Sequence, residues 1–147
     1  MALEAFVLSS RRLASFDEWQ AAIDQEKWPL RFLYDGQLEE VKGFLPIDWK
    51  GKKTGFECDH WNREDLAELL VGHNIEETFQ SVLAFRWAKD FYESVAVAQA
   101  SAAYALATDG VLFDCEEGKI KSAKEAAEMA RQIEAFLPEI EAALRKT

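Results

Sequence analysis

"SVAVAQASAAYALAT", residues 94–108, contains no charged side chain. Just before it, Asp90-Phe91-Tyr92-Glu93 has the form of a capping box with Asp in place of Ser or Thr. A helix is therefore expected to open at Asp90 and run to about residue 107, where Gly110 stops it. A helix without charge on any side is buried around most of its circumference. Its small Ala and Ser side chains let it lie close to a sheet. The run is also too short, and too rich in Ala, Ser and Gln, to span a membrane.

Strands are expected on both sides of this helix. "TFQSVLAFRWA", residues 78–88, precedes it, and "VLFD", residues 111–114, follows. Further upstream, "LEAFVL" (3–8) is β-like, and Ser15 with Glu18 forms a capping box for a helix over 16–26 that Pro29 cannot continue. "LRFLY" (30–34) alternates on one face. Asp35-Gly36 suits a hairpin turn into a weak return strand around 37–42. "FLPIDW" (44–49) reads as an edge strand because of Pro46. The polar turn "KGKKTG" then leads antiparallel into "FECDHW" (56–61). Asn62 and Asp65 cap a short helix over 63–71, with Leu66, Leu69 and Leu70 on one face and Gly72 at its end. "CEEGK" is a turn. Ser122 with Glu125 starts a C-terminal helix whose apolar stripe runs to Leu144, and Pro138 breaks it into a kink or two abutting helices.

Hairpins followed by strand–helix–strand imply an α+β fold: a largely antiparallel sheet with helices packed on one face and a C-terminal β-α-β-α arrangement. The 147 residues, 49% hydrophobic with 5 Trp, fit one α+β domain over 1–147 with a full core.

The formal net charge is −10, from 17 basic and 27 acidic residues. That balance argues against a nucleic-acid ligand, whose phosphates need a positive surface, and against an anionic membrane leaflet. It favours a basic protein partner. Residues 62–110 hold eight acids against three bases, and an acidic binding face is expected there, with Glu64, Asp65, Glu68, Glu76 and Glu77 as its carriers. Trp28, in a connection before Pro29, is expected to be partly exposed and to join the binding surface. Trp49 and Trp61 are expected to pair across the "KGKK" hairpin. The opening "MALEAFVLSS" carries Glu4 within its apolar run and no preceding base, which is unlike a signal peptide. A cytoplasmic location follows, with Cys58 and Cys115 as reduced thiols.

"GFECDHW", residues 55–61, gathers a thiol, an imidazole and two carboxylates. One reading joins Cys58, His60, His73 and Cys115 as a zinc set, and another makes Cys58 and His60 a nucleophile–base pair in a small enzyme. Alternation on a strand places Phe56, Cys58 and His60 on one face and Glu57, Asp59 and Trp61 on the other. That leaves the Cys–His pair without an orienting carboxylate, and the cysteine reads as a core residue. No other motif carries catalysis, and no cofactor is implied.

The segment "QSVLAFRWAKDFYESVAVAQASAAYALATDGVLFDCEEGKI", residues 80–120, resembles small α+β bacterial proteins, among them immunity proteins for secreted toxins. The resemblance carries over no site residues. With the net charge, it implies a non-enzymatic, acidic, cytoplasmic protein-binding module, in its most concrete form an immunity protein that neutralises a basic toxin. The alternative is a small enzyme or zinc protein centred on Cys58 and His60. A homo-oligomeric scaffold using the apolar stripe and the tryptophans is a third reading.

Overall fold

A computed structural model describes residues 2–88 and 90–145. The fold is α+β. Seven antiparallel strands form one sheet: β1 (Leu3–Ser9), β2 (Leu30–Phe32), β3 (Phe44–Trp49), β4 (Lys52–Asn62), β5 (Ser81–Trp87), β6 (Val111–Asp114) and β7 (Lys119–Ser122), in the order β2-β3-β4-β5-β1-β6-β7. The helices are α1 (Phe16–Gln25), α2 (Phe91–Thr108), α3 (Ala123–Ala135) and α4 (Leu137–Arg145). None among the described residues is long and apolar enough to cross a membrane.

β5 and β6 both pair antiparallel with β1, so they run in the same direction with β1 between them. Parallel strands need a long crossover, and α2 supplies it across the sheet. Residues Val95–Ala105 of α2 are all buried. Asp90 caps the helix by accepting from the amides of Tyr92 and Glu93. At the other end Asp109, not Gly110, takes the left-handed conformation, with φ 54°. Gly110 is needed for a different reason: a Cβ there would overlap the carbonyl oxygen of Leu8 on β1.

The remaining elements differ from the sequence reading in definite places. The 37–42 stretch is not a return strand. It is a 3₁₀ turn (Leu38–Glu40) that buries Leu38, followed by buried Val41. Asp35-Gly36 therefore turns no hairpin, and β2 pairs with β3 instead. The 63–71 helix shrinks to one 3₁₀ turn, Arg63–Leu66. "CEEGK" turns into a seventh strand, β7. α3 and α4 meet at Phe136 and Leu137, as two abutting helices. The Ser122–Glu125 capping box forms in full. At α1, Ser15 accepts from the Glu18 amide, but the Glu18 carboxylate reaches Ala14 N–H (2.8 Å).

The core has two parts, one on each face of the sheet. On the helix side, Ala5, Val7, Leu45, Ile47, Trp49, Phe56, Cys58, Leu83 and Phe85 meet α1, α2 and α3. On the other side, Phe6, Leu8, Val82, Ala84 and Phe113 are covered by Leu66 and Ile75 of the segment following β4. Elsewhere on that second face the sheet is polar. Across β2, β3 and β4, Arg31 lies opposite Asp48 and Asp48 opposite Lys53. Across β4, β5 and β1, Glu57 lies opposite Arg86 and Arg86 opposite Glu4.

The free edge of β2 is closed by a side chain. Pro29 and Leu33 bond towards β3, so the backbone of Leu30 and Phe32 faces outward. Gln20 of α1 donates to the Leu30 carbonyl (2.8 Å) and accepts from the Phe32 amide (3.0 Å). Its amide takes the place of a neighbouring strand at an edge that would otherwise template pairing. Gln20→Ala is expected to lower stability by about 1–2 kcal/mol. It is also expected to add concentration-dependent self-association, read by sedimentation velocity. A variant whose association state matches the wild type would show that this amide does not guard the edge.

Candidate functional surface

The acidic residues singled out in the sequence fall on one segment, residues 62–80, and the second core part explains how it is held. Leu66 and Ile75 are buried against the sheet, with Leu70 and Phe79 packed beside them. Asn62 and Asp65 form a reciprocal capping box around the 3₁₀ turn. His73 meets Phe113 edge-on, with ring centroids 5.2 Å apart. Gly72 takes a left-handed φ of 85°. The guanidinium of Arg63 then ties the loop together, donating to the carbonyls of Ile75 (3.1 Å), Phe79 (3.2 Å) and Glu76. Beyond its 3₁₀ turn and a few isolated backbone bonds, the segment is thus fixed by one cation and a few apolar anchors.

What remains on the outside is strongly acidic. Glu64, Asp65, Glu68, Glu76 and Glu77 are all exposed. Arg63 is the only Lys or Arg in residues 62–80, and its guanidinium donates three hydrogen bonds to the segment's own backbone. Leu69 is 48% exposed and Val71 78% exposed. The sequence reading placed Leu69 with Leu66 and Leu70 on one helical face. Without the helix, Leu66 and Leu70 turn inward and Leu69 outward. The surface therefore combines carboxylates with two apolar side chains, the mixture that receives a partner carrying both basic and apolar groups.

Trp28 does not belong to this surface. It is buried at 6% exposure in the helix-side core, and the Arg131 guanidinium lies 5.7 Å from its ring centre. Trp49 and Trp61 do not pair either. Trp49 lies opposite Lys52 and donates to Gln99 on α2 (2.9 Å), whereas Trp61 packs on Phe6 at 5.2 Å on the other face. The face of Glu57, Asp59 and Trp61 is thus partly covered.

The four residues of the zinc reading are not brought together. Cys58 is buried in the helix-side core, while Cys115 packs against the second part, as His73 does through Phe113. No group of three or more His, Cys, Asp or Glu among the described residues is placed to hold a metal. Both cysteines are free. Burial, and secondarily the charge of Asp59, drives the Cys58 thiol well above its ordinary pKa. Burial, with Glu4, Asp114 and Glu116 adding to it, pushes Cys115 up to about 11. Neither is the thiolate that nucleophilic chemistry requires.

His60 has a structural task. Its Nε2 donates to the Leu38 carbonyl (2.9 Å), holding the 3₁₀ turn against β4. Its Nδ1 is buried with no hydrogen-bond partner among the described residues. Protonation would add an N–H there with no acceptor. The pKa is lowered accordingly, chiefly by desolvation. The unfolded chain then binds this proton more readily than the folded one, so stability falls as pH drops through the ordinary His range and levels off below the folded pKa. Urea midpoints are expected to fall between pH 7.5 and pH 5.5, above the carboxylate range, and to fall less in His60→Gln. Equal slopes in both proteins would assign the dependence elsewhere. Arg63→Ala is expected to cost about 2 kcal/mol. Its hydrogen exchange should speed up across 67–80 while β1 and α2 stay protected; uniform acceleration would mean that the segment is not separately pinned. No family model, curated protein or solved structure matches this chain.

Proposed function

We propose that this chain is a non-enzymatic binding protein whose segment 62–80 receives a basic protein partner. One observation carries the reading: five exposed carboxylates and two exposed apolar side chains sit on a segment whose single Arg is occupied internally. Such a surface steers a cationic partner at long range and gives it an apolar contact on arrival. The most concrete form of this function is an immunity protein that neutralises a basic toxin in the cytoplasm, where Cys58 and Cys115 stay reduced. Nothing in the environment of Cys58 or His60 supports the enzymatic alternative.

The test compares the wild type with the triple variant Glu64→Lys, Glu68→Lys, Glu76→Lys as bait in cells that make the protein. None of these three side chains serves as a cap. An exposed ion pair contributes about 0.2–1 kcal/mol, so three reversals are expected to weaken a basic partner's binding by roughly ten- to a hundredfold. The wild-type complex is expected to weaken steadily as salt rises from 50 to 200 mM, roughly the range over which the Debye length contracts below 10 Å. A partner held equally well by the triple variant, or indifferent to salt, would remove the proposal.

A further inference from the structure

The helix-side core is not filled everywhere. A cavity of about 150 Å³ lies between the sheet and the pair α2 and α3. Small side chains leave the space: Ala5 on β1, with Ala98 and Ser101 on α2. Val97, Leu112 and Ile133 wall it. Its two hydroxyls are already engaged. Ser94 Oγ accepts from Trp87 Nε1 (3.1 Å) and Ser101 Oγ donates to the Ala98 carbonyl (3.3 Å). The interior therefore offers water little to bind. Protein cores are close-packed, and an apolar space of about this size is large enough to accept a molecule the size of benzene.

The mouth has a different character. The most exposed lining residues are Glu116 and Glu117, on the turn between β6 and β7, with Asp114 just inside. Lys121 is the one cation within ion-pair distance, 2.9 Å from Glu117 and 3.7 Å from Asp114, and its Nζ also meets Met129 Sδ (3.2 Å) in the lining, while Lys119 acts on Glu117 from further off. Three carboxylates thus outnumber the two ammoniums near them, Lys121 and Lys119, and Glu116 has no ion pair among the described residues. An anionic head, such as a fatty acid's, would meet like charge at this opening. A cationic head would meet an unpaired carboxylate.

We propose that this cavity binds a small primary amine with an aromatic or short alkyl body. The body fills the space between α2 and the sheet, and the ammonium lies at Glu116. The site is independent of the acidic segment, which covers the opposite face of the sheet.

Benzylamine, toluene and phenylacetate test it, titrated at pH 7 and low salt. The indole N–H of Trp87 and the methyls of Ala98 and Ile133 are followed by NMR. Benzylamine is expected to shift these signals saturably, to bind about fivefold tighter than toluene, as one exposed charge contact allows, and to outcompete phenylacetate. Glu116→Gln is expected to erase the advantage over toluene while leaving the cavity open. Ala98→Leu is expected to fill the cavity and abolish all binding. Should that variant not fold, Glu116→Gln alone decides between the outcomes. No response to benzylamine, equal affinity for toluene, or benzylamine binding that persists in folded Ala98→Leu would overturn the proposal.

Discussion

Burying α2 on nearly every side sets a condition that the rest of the fold has to meet: each of its polar groups must be satisfied from within the protein. Gln99 is fully buried on this helix. Its carbonyl accepts from Trp49 on β3 (2.9 Å) and its amide donates to Glu134 on α3 (2.7 Å). The Ala100 carbonyl takes an indole N–H from Trp19 on α1 (2.9 Å), and the Tyr104 hydroxyl accepts from the Leu13 amide (3.1 Å). Thr108 returns its hydroxyl to the Tyr104 carbonyl (2.8 Å). These bonds fix where α1, β3 and α3 sit around the central helix. Apolar packing alone would allow these elements to slide, whereas a buried donor left without its acceptor costs about 1–3 kcal/mol.

The two faces of the sheet follow from the same arrangement. Both crossing helices, α1 and α2, lie on one side, so the strands β5, β1 and β6 would otherwise expose Val82, Ala84, Phe6, Leu8 and Phe113 on the other. These strands are buried on both faces and read as near-continuous apolar runs, as "AFVL" in β1 and "VLAF" in β5 do. Something must cover the second face, and residues 63–80 do so with a single 3₁₀ turn as their only regular element. The outer strands β2, β3 and β4 lack that cover, and there the second face alternates charges. Phe44 departs from this pattern. At 60% exposure its ring lies over Gly55, where a Cβ would collide with it. The aromatic shields backbone that the glycine leaves bare.

The parts legible in the sequence are those whose signal is local. The absence of charge in 94–108 marks the buried helix, the Ser122–Glu125 spacing marks the start of α3, and alternation in 56–61 sorts Phe56, Cys58 and His60 to one face. The failures are equally specific. Leu38 and Val41 are three residues apart, which suits a turn that buries two anchors and not a strand of period two. Residues 63–71 have helical spacing, but Arg63 reaches carbonyls 12 to 16 residues further on, and no local pattern encodes that competition. In "KIKS" of β7 a single apolar residue pairs with Phe113, too little for alternation to register. Trp28 precedes a proline in a connection, yet Arg131, from a helix a hundred residues away, covers it. On the candidate surface the carboxylates were legible, because unpaired acids stay in water. The outward turn of Leu69 was not, since it depends on a helix that does not form.

The density of chemical groups in 55–61 is explained by their neighbours. Cys58 contributes volume to the core beneath α2, and its burial removes the thiolate on which any reactivity would depend. Asp59 accepts from the Gly43 amide (3.0 Å), and His60 donates to the Leu38 carbonyl (2.9 Å). Both bonds therefore reach the connection that leads from β2 to β3. Gln20 holds the start of the same hairpin from α1. A three-residue strand cannot fix its own position through a ladder so short. Side chains from β4 and α1 supply the missing bonds, and the polar residues that look catalytic in the sequence are those that close this edge of the sheet.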